Sequence, residues 1–165
     1  MAELQKRILA YADSLKSRGD ISPERFGAAI GVGLTRNEEE GVIENAGHLT
    51  VKEGYNYVAS YFPAETPSDF PIHSVRFYRQ GKPSVTLVPD GVCFWDAGNA
   101  GRALEKLGYS GGSELPFQRG GMRVYSRAIS GGKQEMSASL LTYPLEESKA
   151  GKICVYEIRF RGGDV

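Results

Sequence analysis

Apolar residues near the start of the chain recur at helical spacing. Leu4, Ile8, Tyr11, Ala12 and Leu15 share one stripe, and Lys6, Arg7, Asp13 and Lys16 fall off it, which predicts an amphipathic helix over 2–18. Gly19 is its expected stop. A second helix is punctuated at its start by Ser22 as a cap, Pro23 at the first helical position and Glu24 against the positive end of the dipole. Ile21 and Phe26 are spaced as a hydrophobic staple, and the helix is expected to close at Ile30-Gly31. From residue 41 onward strand patterns dominate. Val42-Ile43 opens a short one, and 55–62 and 72–79 alternate clearly. Two shorter runs, 84–88 and 92–95, flank the turn signal Pro89-Asp90-Gly91. Asp96 then caps a third helix with the stripe Ala100, Ala103, Leu104 and Leu107, closed by Gly108. Residues 109–113 read as a glycine-rich loop. Three more strands are expected at 121–129, 135–143 and 153–160, the first two joined at Gly131-Gly132.

Helices followed by a β-meander, twice over, predict an α+β fold with a mainly antiparallel sheet, two N-terminal helices and one central helix. Too few helices separate the strands for a parallel βαβ arrangement. The expectation is one compact domain, 1–165, containing two similar halves, 20–95 and 96–165. Each half has a helix ending in an apolar residue and glycine, Ile30-Gly31 and Leu107-Gly108. Each has an alternating strand after a glycine, Gly54-Tyr55-Asn56-Tyr57-Val58 and Gly121-Met122-Arg123-Val124-Tyr125. Each has a strand with a shared ending, Ser74-Val75-Arg76-Phe77-Tyr78-Arg79 and Glu157-Ile158-Arg159-Phe160-Arg161.

Composition narrows the function classes. Lysine plus arginine (20) equals aspartate plus glutamate (20), so a strongly basic nucleic-acid binder is disfavoured, though not a local basic patch. No apolar run approaches the ~20 residues of a membrane helix. The opening residues lack the apolar stretch of a leader, so the expected compartment is the cytoplasm, or the periplasm had a leader been removed. Cys93 and Cys154 lack the close pairing of a zinc site and sit in apolar runs. They read as two reduced core thiols, a single bridge being the alternative that would argue for an oxidising compartment.

No catalytic motif emerges. His48 lies beside a loop and His73 at a strand start, neither with a companion at a family-like spacing. Ser130-Gly131-Gly132-Lys133 fits the letters of a Ser-x-x-Lys motif, but its glycines make a hairpin where that chemistry needs a helix. Gly31-Val32-Gly33-Leu34-Thr35-Arg36 lacks the third glycine of a dinucleotide fingerprint and follows a helix. Arg18-Gly19-Asp20 reads as a helix stop, and Asp90 and Asp96 as turn and cap. No cofactor or metal is called for.

The strand faces carry the one pattern above background. Tyr55, Tyr57 and Tyr61 share a face of their strand, as do Arg76 and Tyr78, then Arg123, Tyr125 and Arg127, and finally Arg159 and Arg161. With the Val, Phe and Ile faces turned to the helices, a Tyr/Arg wall is expected to face solvent. These residue types are enriched at interface hot spots. Glu38, Glu39 and Glu40 form a second candidate contact, for a basic cleft.

The doubled helix-and-meander layout, carried by the paired segments above, resembles the tandem αβ inhibitors of the β-lactamase inhibitor protein type, and is similar in size and make-up to small bacterial toxin-immunity proteins. The resemblance implies a non-enzymatic module that plugs a partner enzyme, a cognate toxin or effector, with its aromatic-rich sheet face. Two other classes stay open: a small hydrolase or transferase using His48 or His73, and a single-stranded RNA binder using the Tyr/Arg face. A homodimer is a further option, and a membrane is not an expected partner.

Overall fold

The computed structural model describes residues 2–36, 55–79, 81–87, 93–145 and 151–165, and the backbone of 43–48. Helices α1 (Glu3–Ser14) and α2 (Pro23–Ile30) precede strands β1 (Thr35–Arg36), β2 (Ile43–His48), β3 (Tyr55–Phe62) and β4 (Ile72–Arg79). Helix α3 (Ala97–Lys106) precedes β5 (Ser110–Phe117), β6 (Gly120–Ile129), β7 (Gln134–Pro144) and β8 (Ile153–Asp164). All eight strands join one sheet in the order β1-β2-β3-β4-β8-β7-β6-β5, and every pairing is antiparallel. The fold is α+β. Each half supplies a meander, and the two meanders meet where β4 pairs with β8. The segments around 74–79 and 157–161 therefore hold equivalent places in the two halves. The echo between the other two strand segments does not hold: residues 55–58 lie in the third strand of one meander, and 121–125 lie in the second strand of the other.

The helix boundaries follow local chemistry. The Ser22 hydroxyl accepts from the Arg25 N–H, Pro23 opens α2, and Gly31 ends it at φ 88°. The Asp96 carboxylate accepts from the Asn99 N–H at 2.8 Å to start α3. Helix α1 ends earlier than its stripe predicts. The Asp20 carboxylate accepts from the Lys16 and Ser17 N–H groups at 3.0 and 2.8 Å, and this competes with continuation of the helix and winds Arg18–Asp20 into a tight turn.

Three expectations are corrected. Residues 84–87 form turns rather than a strand, with the Leu87 N–H donating to the Ser84 carbonyl at 2.9 Å. The expected glycine loop at 109–113 instead begins β5, because Gly111 and Gly112, at φ 122° and 91°, form a bulge within the strand. Cys93 and Cys154 are joined in a disulfide rather than reduced. The bridge pins the segment before α3 to β8, where the Val155 N–H also donates to the Trp95 carbonyl at 2.8 Å.

The helices cover one face of the sheet. Ile8, Phe26, Ile30 and Leu104 from the helices, Leu15 just beyond α1, and Val75, Leu140, Ile158 and Phe160 from the central strands are all fully buried in one core. The register places Ala59 opposite Val75 and Val75 opposite Ile158, then Ile158 opposite Leu140, so this inward row crosses four strands. The residues between them face the other way.

Candidate functional site

The helices lie on the side opposite to that expected for β3 and β6. Tyr55, Tyr57 and Tyr61 alternate with Val58 and Phe62, and it is the tyrosines that are buried, at 3–7% exposure, while Phe62 is 44% exposed. Three phenol rings bury more apolar surface than one Val and one Phe next to Asn56 and Ser60, so the tyrosine side wins the core. Tyr61 stacks on His73 at 5.9 Å, and Tyr55 packs on Phe94 at 5.4 Å. Burial raises the pKa of Tyr57 and of Tyr61.

On β6 the inward set is Arg123, Tyr125 and Arg127, each paired across β7 with a residue of the inward row. Tyr125 is buried beneath α3 and its phenol pKa is raised by that burial. Arg123 forms an ion pair with Glu114. Arg127, its side chain only 11% exposed, donates to the carbonyls of Ala12, Leu15 and Leu107 at 3.0, 2.8 and 2.8 Å. Its guanidinium also lies 4.5 Å over the Tyr109 ring. It is drawn inward because the ends of α1 and α3 leave carbonyls without helical partners. The expectation of one continuous Tyr/Arg wall is therefore overturned, and these six side chains belong to the core and its margin. Glu38, Glu39 and Glu40 lie outside the described residues.

Arg76, Tyr78, Arg159 and Arg161 occupy the face opposite the helices. Arg159 and Arg76 flank Glu157, a carboxylate only 2% exposed that sequence reasoning missed as a site residue. Arg76 Nε donates to Glu157 Oε2 at 2.9 Å, while Arg159 Nη2 and Nε donate to Oε1 at 2.9 and 3.2 Å. Both carboxylate oxygens are thus engaged, and the buried charge is compensated.

Two features of the sheet create this spot. The β4–β8 ladder ends at the Arg76–Glu157 pair, beyond which the segment at Trp95 and Asp96 takes the place beside β8. A register shift between Leu141 and Thr142 leaves Tyr156 as an extra residue on β8. Tyr156 and Glu157, adjacent in sequence, both line the pocket that results. It measures about 360 Å³ and lies between the sheet and the 82–86 segment, with Val58, Leu141, Tyr78 and Gln118 also in its walls. Val85 packs that segment against the cluster of Leu141, Tyr143, Cys154 and Tyr156. Among the described residues the lining carries Arg76, Arg79, Lys82 and Arg159 against one carboxylate, that of Glu157, a local positive excess in a chain of zero net charge. The signal available in the sequence was a lone acid inside the apolar run Val155-Tyr156-Glu157-Ile158.

His73 is fully buried among Tyr11, Phe26, Tyr61 and Phe160, and neither ring nitrogen has a hydrogen-bond partner. Desolvation lowers its pKa to about 3, against a smaller opposing pull from the Pro71 backbone. A neutral imidazole closed off from solvent is badly placed for acid–base work on a substrate. His48 stands opposite Asn56 in the β2–β3 register. Among the described residues no three His, Cys, Asp or Glu groups gather as a metal site, and no helix is long and apolar enough to cross a membrane. No family model, curated protein or solved structure matches the chain.

Proposed function

We propose that the chain is a non-enzymatic protein-binding module, of the inhibitor or immunity type, which occludes an acidic surface of a partner enzyme or toxin with the sheet face opposite its helices. The observation that carries this reading is the cationic cluster around Arg76 and Arg159 on a face that none of the helices covers. Tyr78 and Phe62 stand exposed on the same face, supplying the aromatic surface from which interface anchors are drawn. Arg161 extends the positive character along β8. The tyrosines of β3 are buried and so unavailable to stack on bases, which favours a protein partner over single-stranded RNA. The bridge between Cys93 and Cys154 supports action in an oxidising compartment, such as a periplasm, over the reducing cytoplasm.

The test compares the wild-type chain with Arg76→Ala/Tyr78→Ala/Arg161→Ala and with a control carrying Lys133→Ala and Glu65→Ala. Each is used to capture proteins from native lysate, and the captured enzyme is assayed with and without the chain. The reading expects a partner that is inhibited by wild type and control but escapes the triple variant. Inhibition unaffected by the triple variant overturns it.

A further inference from the structure

The pocket beside Glu157 has a charge count of its own. At its base two guanidiniums and one carboxylate leave a net charge of +1. Arg76 spends only Nε on Glu157, so Nη1 and Nη2 have no partner among the described residues, and its side chain is 57% exposed. Glu157 therefore fixes the inner edge of the Arg76 guanidinium and leaves the outer edge presented. That edge is a planar pair of donors, the match for a carboxylate taken bidentately. The walls are mixed, with Val58, Leu141 and Val85 beside the Tyr78 ring, and suit a short methylene stem. A single negative charge balances the base. A phosphate dianion would exceed it and meet the Glu157 carboxylate close by; the further cations of the lining are Lys82 and Arg79, and the Arg79 guanidinium lies 6.0 Å over the Tyr55 ring.

We infer that this pocket is a carboxylate-receiving subsite, which takes one Asp or Glu side chain of the partner onto the outer edge of Arg76 beside Arg159. The inference rests on the protein-binding reading above, but its test needs no partner. The full-length, oxidised protein, labelled with nitrogen-15, is titrated with the peptide acetyl-Gly-Glu-Gly-amide, and the Nε–H signals of Arg76 and Arg159 are followed by NMR. Acetyl-Gly-Gln-Gly-amide and inorganic phosphate are the comparison probes. The expected result is saturable movement of both signals with the Glu peptide, at a Kd of roughly millimolar order for a single anchor. The Gln peptide should leave them in place, and phosphate should bind more weakly than the Glu peptide. Arg76→Lys keeps the charge and loses the fork, and should weaken binding about tenfold. Arg159→Lys, checked for an unchanged amide spectrum, should also weaken it.

Equal response to the Gln peptide, tighter binding of phosphate, or full affinity in Arg76→Lys overturns the subsite. Failure of the peptide while partner inhibition still depends on Arg76 removes the subsite and leaves the module. Peptide binding without any inhibited partner does the reverse.

Discussion

A buried neutral histidine ties stability to pH. His73 keeps its proton off until about pH 3, whereas in the unfolded chain it titrates near 6.5. The unfolded state alone takes up the proton between these values, so this contribution to stability is whole above 6.5, falls as pH drops and levels off near 3. The slope is about 1.4 kcal/mol per pH unit. Urea denaturation at pH 7 and pH 5 should show the wild type losing about 2 kcal/mol more than His73→Leu; equal losses would mean that His73 reaches solvent in the folded state. The residue scale also shows where reading the sequence stopped. Alternation alone cannot say which of two mixed faces the helices cover. On β4 and β8 one face held Val75, Phe77, Ile158 and Phe160, and the inference held. On β3 both faces held apolar bulk, and the larger tyrosines went inside, while on β6 Tyr125 went inside together with Arg127, which the helix-end carbonyls engage. Glu157 shares the face of Arg159 and Arg161 by plain alternation, and what the sequence does not display is the bulge that turns Tyr156 to the same side and encloses the pocket.

Between elements, close approach decides what substitutions do. Helix α3 packs so tightly on β6 that a Cβ at Gly101 would overlap the Tyr125 hydroxyl. Alanine is normally the better helix former by about 1 kcal/mol, yet Gly101→Ala should destabilise here, by about 1–3 kcal/mol. Tyr125→Phe should recover part of that loss, so a double-mutant cycle by thermal melting should give a coupling well above zero. Independent effects would place α3 farther from the sheet. Arg127 joins the same elements from below by satisfying carbonyls at the ends of α1 and α3. Arg127→Ala removes this donor from the Leu15 and Leu107 carbonyls, the Ala12 carbonyl keeping the Tyr109 hydroxyl, and should cost about 2–4 kcal/mol in urea melts, whereas a loss below 0.5 kcal/mol, the ordinary effect of a surface change, would reduce it to a surface residue. Helix positions were legible in the sequence because caps and glycine stops are local signals, as at Ser22, Gly31, Asp96 and Gly108. Strand β5 was not, since its glycines carry a bulge that reads as loop, nor was the end of α1, which a carboxylate five or more residues ahead of it decides.

Across the whole molecule, the meanders share a sheet but not a complete seam. Strands β4 and β8 part at Arg76–Glu157, and the Trp95–Asp96 segment continues the pairing along β8 under the tie of the Cys93–Cys154 bridge. That covalent link, between cysteines 61 residues apart, joins the two halves beside the pocket. The chain-entropy estimate for a closure of this length is about 4 kcal/mol, so Cys93→Ala/Cys154→Ala should melt well below the oxidised wild type. The loss should also be local before it is global. The amide of Val155 is held by the Trp95 carbonyl alone on that side, and without the bridge this contact is the first that an opening segment gives up. Hydrogen exchange should therefore quicken at Val155 in the double variant, while the amide of Tyr125, inside the β6–β7 ladder, keeps its relative protection. If exchange at Val155 and at Tyr125 rises in equal proportion, the seam has no separate stability, and the bridge acts only on the unfolded chain.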